Sequence, residues 1–285
     1  MNPQKTLNNP IDELGYYMAP STYKQIKKGR DDVLKSDLDR VFVVDGREGF
    51  AGKSTFAFQA AYAFDPSFCL DRIVFSSKDF ENCLRTANKG QAIVFDEAFR
   101  GLSSKGSVSK ENKKLVQLLM EVRQQNLFIF IVLPSFFMLE KYVGIFRSHC
   151  LFHCYSSKKT SKRRYYKVYN YQNKKLLYIF GKQLMNYVRP KISKAYRFYA
   201  KFPPTIDRQA YIDKKLAAFQ DFAKEDDEKI DNHVLQRTIL SKHLKEIFKM
   251  DYTEQSKLLK NGGSPVDSTA LSRHAKNDTF KMPNE

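Results

Sequence analysis

The sequence predicts an α/β fold: a three-layer arrangement with a mainly parallel five-stranded core sheet, then a basic β-hairpin and a small helical C-terminal region. Three observations predict it. Short, largely apolar segments recur at 41–44, 72–75, 92–95, 127–132 and 150–155, and a continuous apolar run such as 41–44 is the pattern of a strand buried on both faces. Helical patterns separate these runs, and strictly alternating strands and helices give a parallel sheet covered on both sides. The first and third runs also end in polar turns, which such a sheet brings to the same edge.

Taken in order, residues 1–38 form an N-terminal helical extension, with a helix starting near Ser21 and running through Tyr23, Ile26 and Val33. The sheet core with its hairpin is expected over 39–205. Strand Val41–Val44 ends in a Gly-rich turn and leads into a helix from Ser54 to Phe64. Strand Arg72–Phe75, a helix from Lys78 to Asn88 and strand Ala92–Phe95 follow. A Gly/Ser-rich loop, Gly101–Ser109, precedes a helix with Leu115, Leu118, Leu119 and Val122 on one face. Strand Leu127–Val132, a helix through Leu139 and Val143, and strand Cys150–Tyr155 complete the core. Tyr165–Tyr171 and Lys175–Phe180, separated by Gln172-Asn173-Lys174, read as the hairpin. Residues 206–285 are helical, at Asp207–Lys224, at His233–Lys249 and in two short stretches around Gly262-Gly263-Ser264-Pro265.

The composition, 42% hydrophobic and 28% charged over 285 residues, is that of a globular protein. The net charge of +18 points to a polyanionic partner, nucleic acid before an anionic membrane face. The longest apolar run, Leu127–Leu139, is broken by Pro134 and Ser135 and falls short of the roughly 20 residues that span a bilayer. No membrane insertion and a cytoplasmic location (host cytoplasm, if viral) are therefore expected, with the four cysteines reduced. His149, Cys150, His153 and Cys154 do not read as a zinc site, because a strand sends neighbouring residues to opposite faces.

The chemistry sits at two strand ends. The segment Asp45-Gly46-Arg47-Glu48-Gly49-Phe50-Ala51-Gly52-Lys53-Ser54-Thr55 follows a strand and opens a helix, the context of a phosphate-binding P-loop. Gly46, Gly49, Gly52, Lys53, Ser54 and Thr55 are the expected nucleotide-binding residues, with Lys53 neutralising β/γ phosphates and Ser54 ligating Mg2+. The usual first Gly position holds Arg47, with Gly46 one place early, so the loop is one residue longer than the common pattern. Ala92–Phe95 runs into Asp96-Glu97: Asp96 would hold magnesium and Glu97 would position or deprotonate the attacking water. ATP and Mg2+ are the cofactors this implies. Ser135, at the end of the fourth strand, reads as a γ-phosphate sensor or as a helix N-cap. Arg123 and Arg147 are candidates for an arginine reaching a neighbouring subunit's site, Arg147 the better placed; a plain salt bridge is the alternative.

These motifs, with Arg123-Gln124-Gln125-Asn126 before a strand ending in a small polar residue, resemble the additional-strand catalytic-glutamate P-loop ATPases. Within them the pattern is most similar to viral genome-packaging, FtsK/HerA-type and zonula occludens toxin-like DNA translocases, over about Val41–Tyr155. The resemblance implies a ring of subunits threading DNA, each completing its neighbour's site. An integral nuclease is not expected, because no Asp or Glu occurs between Glu140 and Asp207 to hold its metals.

That acid-free stretch carries Lys158, Lys159, Lys162, Arg163, Arg164, Lys167, Lys174 and Lys175, interleaved with tyrosines. Cations neutralise phosphates and aromatic rings stack on bases, so these residues are the expected nucleic-acid contacts, with double-stranded DNA the expected ligand. Arg100, Lys105 and Lys110 in the loop after Asp96 could grip a strand in a pore; an inert flexible loop is the alternative. Tyr252–Lys260 and Asp267–Lys276 could form a helix-turn-helix presenting Ser268, Thr269, Ser272 and Arg273 to a groove. The expected function is an ATP-driven DNA translocase or packaging motor of a virus, phage or mobile element, with a viral portal or replication protein as candidate partner. The alternatives are a replication helicase or helicase loader, and a non-catalytic nucleotide switch that binds DNA.

Overall fold

The computed structural model describes residues 10–36, 38–46, 51–96, 105–122, 125–157, 163–261 and 266–276. The chain divides into two compact units, Met1–Leu216 and Ala217–Glu285.

The first unit is built on seven strands: β1 (Arg40–Gly46), β2 (Ile73–Val74), β3 (Ala92–Phe95), β4 (Phe128–Leu133), β5 (Ser148–Ser156), β6 (Arg164–Tyr169) and β7 (Tyr196–Phe198). They form one sheet in the order β2-β3-β4-β1-β5-β6-β7. The first five strands are parallel, while β6 and β7 continue the sheet antiparallel. The expected five-stranded parallel core is thus extended to a mixed, mostly parallel sheet.

Side chains alternate across it. Val41, Val43, Ile93, Phe95, Ile129, Ile131 and Leu133 face one layer, with Phe80 and Leu84 of α4 (Ser77–Thr86) and Leu115, Leu118 and Leu119 of α5 (Lys105–Glu121). Phe42, Phe128, Phe130 and Phe152 face the other, where Phe56 and Phe64 of α3 (Lys53–Phe64) pack on them at centroid distances of 4.6–6.0 Å. Each fully buried Phe is worth up to about 3 kcal/mol. α3 is apolar nearly all round, as a helix covered on both sides must be. On the N-terminal side, α1 (Pro10–Leu14) precedes α2 (Pro20–Lys35), which buries Tyr23, Ile26 and Val33.

The structure departs from the expected elements in four places. After β4 there is no single long helix: Phe136–Met138 and Tyr142–Arg147 form two short helical turns. Of the hairpin, only the first half is a strand, and it pairs with β5. The second half is helical: α6 (Tyr171–Leu176) runs through Leu177–Gly181 into α7 (Lys182–Leu184). The Asn170 side chain accepts the Asn173 amide at 2.9 Å and so caps the start of this helix. Lys174, Leu177, Tyr178 and Gly181, spaced i, i+3, i+4 and i+7, are its buried face. The loop expected at Gly101–Ser109 is already helical from Lys105. Finally, α8 (Arg208–Phe248) is one helix where two are expected.

In the C-terminal unit, α9 (Tyr252–Asn261) and α10 (Ser268–Lys276) are the two short helices expected there. The buried Gln255 amide donates to the Ser241 and Met250 carbonyls, both at 3.1 Å. Ser256 Oγ donates to Val266 O at 2.7 Å, and Leu271 is buried. Thr269 is exposed, Ser268 and Ser272 are half-buried, and the Arg273 side chain lies outside the described residues.

Candidate functional site

The C-terminal ends of β1, β3, β4 and β5 gather the polar side chains at one edge of the sheet. Gly52 caps the N-terminus of α3 in a left-handed conformation, φ 74°. A Cβ there would lie 2.6 Å from Arg164 Cδ and 2.9 Å from its Nε, so the position requires glycine on both counts. Gly46 is equally confined, because a Cβ would run into the Cys154 carbonyl oxygen. Lys53 Nζ donates to Gly46 O at 3.0 Å, so its ammonium lies back across the loop's entry. Ser54 Oγ donates to Asp96 Oδ1 at 2.9 Å. The two sequence motifs therefore meet, although β4 stands between their strands. Thr55 is half-buried in the first turn of α3. Gly49 and Glu97 lie outside the described residues, as do Arg47, Arg100 and Arg123.

This arrangement suits an anionic oxygen and a hard cation. The amides of the first turn of α3 and the Lys53 ammonium are anion donors. The Ser54 hydroxyl and the Asp96 carboxylate offer the oxygen ligands that magnesium takes alongside water and phosphate. Among the described residues no three His, Cys, Asp or Glu side chains cluster as metal ligands; Cys150 and Cys154 are buried, on the face of β5 opposite Leu151 and His153.

Two features of the site escaped the sequence. Asp96 is fully buried, and its second oxygen, Oδ2, accepts the Tyr211 hydroxyl at 2.7 Å and lies 3.7 Å from Lys215 Nζ. Both residues come from the first turns of α8, 115 and 119 positions away. The other feature is Asp45, the last polar residue of β1. Its carboxylate is wholly buried and accepts three donors: the Phe136 amide and His153 Nδ1, both at 2.8 Å, and the Tyr187 hydroxyl. A carboxylate can be buried only when its oxygens are satisfied in this way. The acceptor places a proton on His153 Nδ1, and the imidazole stacks on Tyr187 at 4.0 Å. Burial, and after it the Asp45 charge, hold the Tyr187 phenol well above its ordinary pKa. An acid closing an apolar strand immediately before the Gly-rich turn was the signal available.

The remaining expected residues separate. Ser135 joins the Asp45 cluster: its Oγ accepts the Phe137 amide at 3.4 Å, as an N-cap, and lies 3.4 Å from Tyr187 Oη. Arg147 is at the opposite end of the sheet, just before β5. Its guanidinium donates to Leu119 O at 2.9 Å and pairs with the nearly buried Asp39 carboxylate, the salt-bridge alternative; reaching a neighbouring subunit would require leaving that partner. Lys174 is fully buried, its ammonium donating to the Ile145 and Ser148 carbonyls and to Ser148 Oγ. It caps a helical turn and cannot meet a phosphate. Arg164, also expected at DNA, is half-buried and lies beside Gly52. Arg163 and Lys175 are exposed, Lys167 is half-buried with its ammonium 5.8 Å from the Tyr155 ring, and Lys158, Lys159 and Lys162 lie outside the described residues.

No protein-family model matches the chain, and no curated protein sequence does. Among solved structures, the chain is similar to the N-terminal domain of zonular occludens toxin from Neisseria meningitidis. The identity is 18%, the match covers 47% of this chain and 84% of that one, and the TM-score is 0.31. A likeness at that level carries no argument about this site, which rests on its own geometry.

Proposed function

We propose that the chain is a P-loop ATPase that binds Mg-ATP between Gly46, Gly49, Gly52, Lys53, Ser54, Thr55 and Asp96. The observation that carries the reading is the Ser54–Asp96 hydrogen bond at 2.9 Å, which joins the phosphate turn to the acidic strand end. Two groups that could share one cation stand together although 42 positions apart. Lys53 would swing from Gly46 O to the phosphates, and Glu97 would order the attacking water. The position of β4 between β1 and β3 supports the additional-strand class of such enzymes.

The work done by hydrolysis is read from charge. The strands and helices from β5 to β7 lie in a stretch without a single acid from Lys141 to Ile206, where Arg163 is exposed and Lys167 half-buried. Such a surface suits the backbone of double-stranded DNA. The protein is accordingly a DNA translocase or packaging motor, acting as a ring of subunits.

The test is ATP hydrolysis by the full chain with and without double-stranded DNA, repeated with Lys53→Ala and Glu97→Gln. The reading expects stimulation by DNA, loss of nucleotide binding in the first variant, and loss of turnover with binding kept in the second. Turnover indifferent to DNA would remove the motor and leave the ATPase. Unchanged turnover in Glu97→Gln would remove the proposed catalytic role of that residue.

A further inference from the structure

The helical segment 171–184 has two apolar faces, and only one is used. Lys174, Leu177, Tyr178 and Gly181 are buried against the first unit. Leu176, Ile179, Phe180 and Leu184, at i, i+3, i+4 and i+8, share the other face and are exposed, Phe180 by 59% and Leu184 by 71%. Met185 and Val188 continue the surface at 60% and 70%. Lys175 and Lys182, about two helical turns apart and both exposed, border it, Lys182 Nζ donating to Tyr178 Oη at 2.6 Å, and Arg189 and Lys191 follow. Soluble surfaces seldom gather so many large apolar side chains without a partner for them.

The choice of partner follows from charge. Leucine, isoleucine, methionine and valine gain little from a phosphate backbone, so nucleic acid does not explain the apolar face. A second copy, itself at +18, would bring Lys175 and Lys182 towards like charges. An anionic bilayer surface meets both halves: acyl chains take the apolar side chains and head groups take the lysines. Among the described residues no helix is long and apolar enough to cross a membrane, so the segment would lie along the surface.

We propose that the face formed by Leu176, Ile179, Phe180, Leu184, Met185 and Val188, bordered by Lys175 and Lys182, docks the protein on an anionic lipid surface. This stands apart from the nucleotide reading, and Lys53→Ala should bind lipid as the wild type does. The chain contains no tryptophan, so Phe180→Trp provides a single emission probe at the centre of the face.

The test is flotation of the full chain with phosphatidylcholine vesicles, with and without roughly 30% phosphatidylglycerol, alongside a variant with Leu176, Ile179, Phe180 and Leu184 all changed to Ser. The variant keeps every positive charge, and its far-ultraviolet circular dichroism should match the wild type. Wild type is expected to float with anionic vesicles only, the variant to lose about tenfold or more of that affinity, and Phe180→Trp to shift to the blue and be quenched by brominated lipid. Equal flotation of wild type and variant would mean that charge alone binds and would overturn the proposal. An unshifted Trp emission on bound vesicles would overturn it too. A blue shift that depends on protein concentration, without lipid, would assign the face to a second copy instead.

Discussion

The Tyr211 hydroxyl, in the first turn of a 41-residue helix, donates to Oδ2 of Asp96 at 2.7 Å while Ser54 donates to Oδ1 at 2.9 Å. Both oxygens of the acid proposed to hold magnesium are thus oriented before any ligand arrives. Groups of this kind tune a metal site without touching the metal.

Tyr211→Phe removes that donor and changes little else in shape. On the magnesium reading, the apparent Mg2+ affinity in ATP hydrolysis should fall about 10–100-fold, with nucleotide binding in the absence of metal unchanged. A Mg2+ titration of turnover checks this. If Tyr211 serves stability only, the melting temperature moves and the Mg2+ midpoint does not.

Gly52→Ala places a methyl in a left-handed backbone and against Arg164. The conformation alone costs about 1–2 kcal/mol, and relieving the 2.6 Å approach displaces Arg164 from the start of β6. Urea unfolding should report a loss of at least about 1 kcal/mol, accompanied by weaker nucleotide binding.

Tyr187→Phe leaves the buried Asp45 carboxylate with two donors in place of three. Removing one partner of a buried acceptor costs about 1–3 kcal/mol, which thermal or urea unfolding measures. The same variant should retain ATP binding, because neither Lys53 nor Ser54 depends on the phenol.

Lys174 gives a pH signature. Burial pushes its ammonium down to about 8 from the ordinary 10.5. Between those values the unfolded chain holds a proton that the folded chain has lost, so stability rises with pH through the window. The gain is about 2 kcal/mol between pH 8 and 9.5. Several buried tyrosines with raised values, Tyr16, Tyr166, Tyr169 and Tyr187, act in the opposite sense above pH 10, when they ionise in the unfolded chain. Urea unfolding of wild type and Lys174→Met between pH 8 and 9.5 isolates the lysine: the difference should change with pH in the sense given.

The parallel core was legible because its strands are buried on both faces and therefore read as plain apolar runs; Ala92–Phe95 matches residue for residue. Lys53, Ser54 and Asp96 were legible because a phosphate turn and an acidic strand end are local patterns. The partners of Asp96 and Asp45 were not. Tyr211 and Tyr187 arrive from 115 and 142 positions away, and nothing local marks one tyrosine among sixteen. The mistaken hairpin has another cause. Leu176–Phe180 is apolar enough for a strand, and its helical character lies in the Asn170 cap and in the burial of Lys174, a residue type that ordinarily signals solvent.

The position of β1 has a consequence for the protein's synthesis. The strand lies between β4 and β5, and its residue Asp45 aligns with His153, 108 positions later. At about 5–20 residues per second, the ribosome leaves Val41–Val44 without either neighbour for several seconds after they emerge. Throughout that interval an apolar strand with both edges open is held only by whatever the nascent chain or a chaperone supplies. The sheet closes around its centre only once β5, ending at Ser156, has been made.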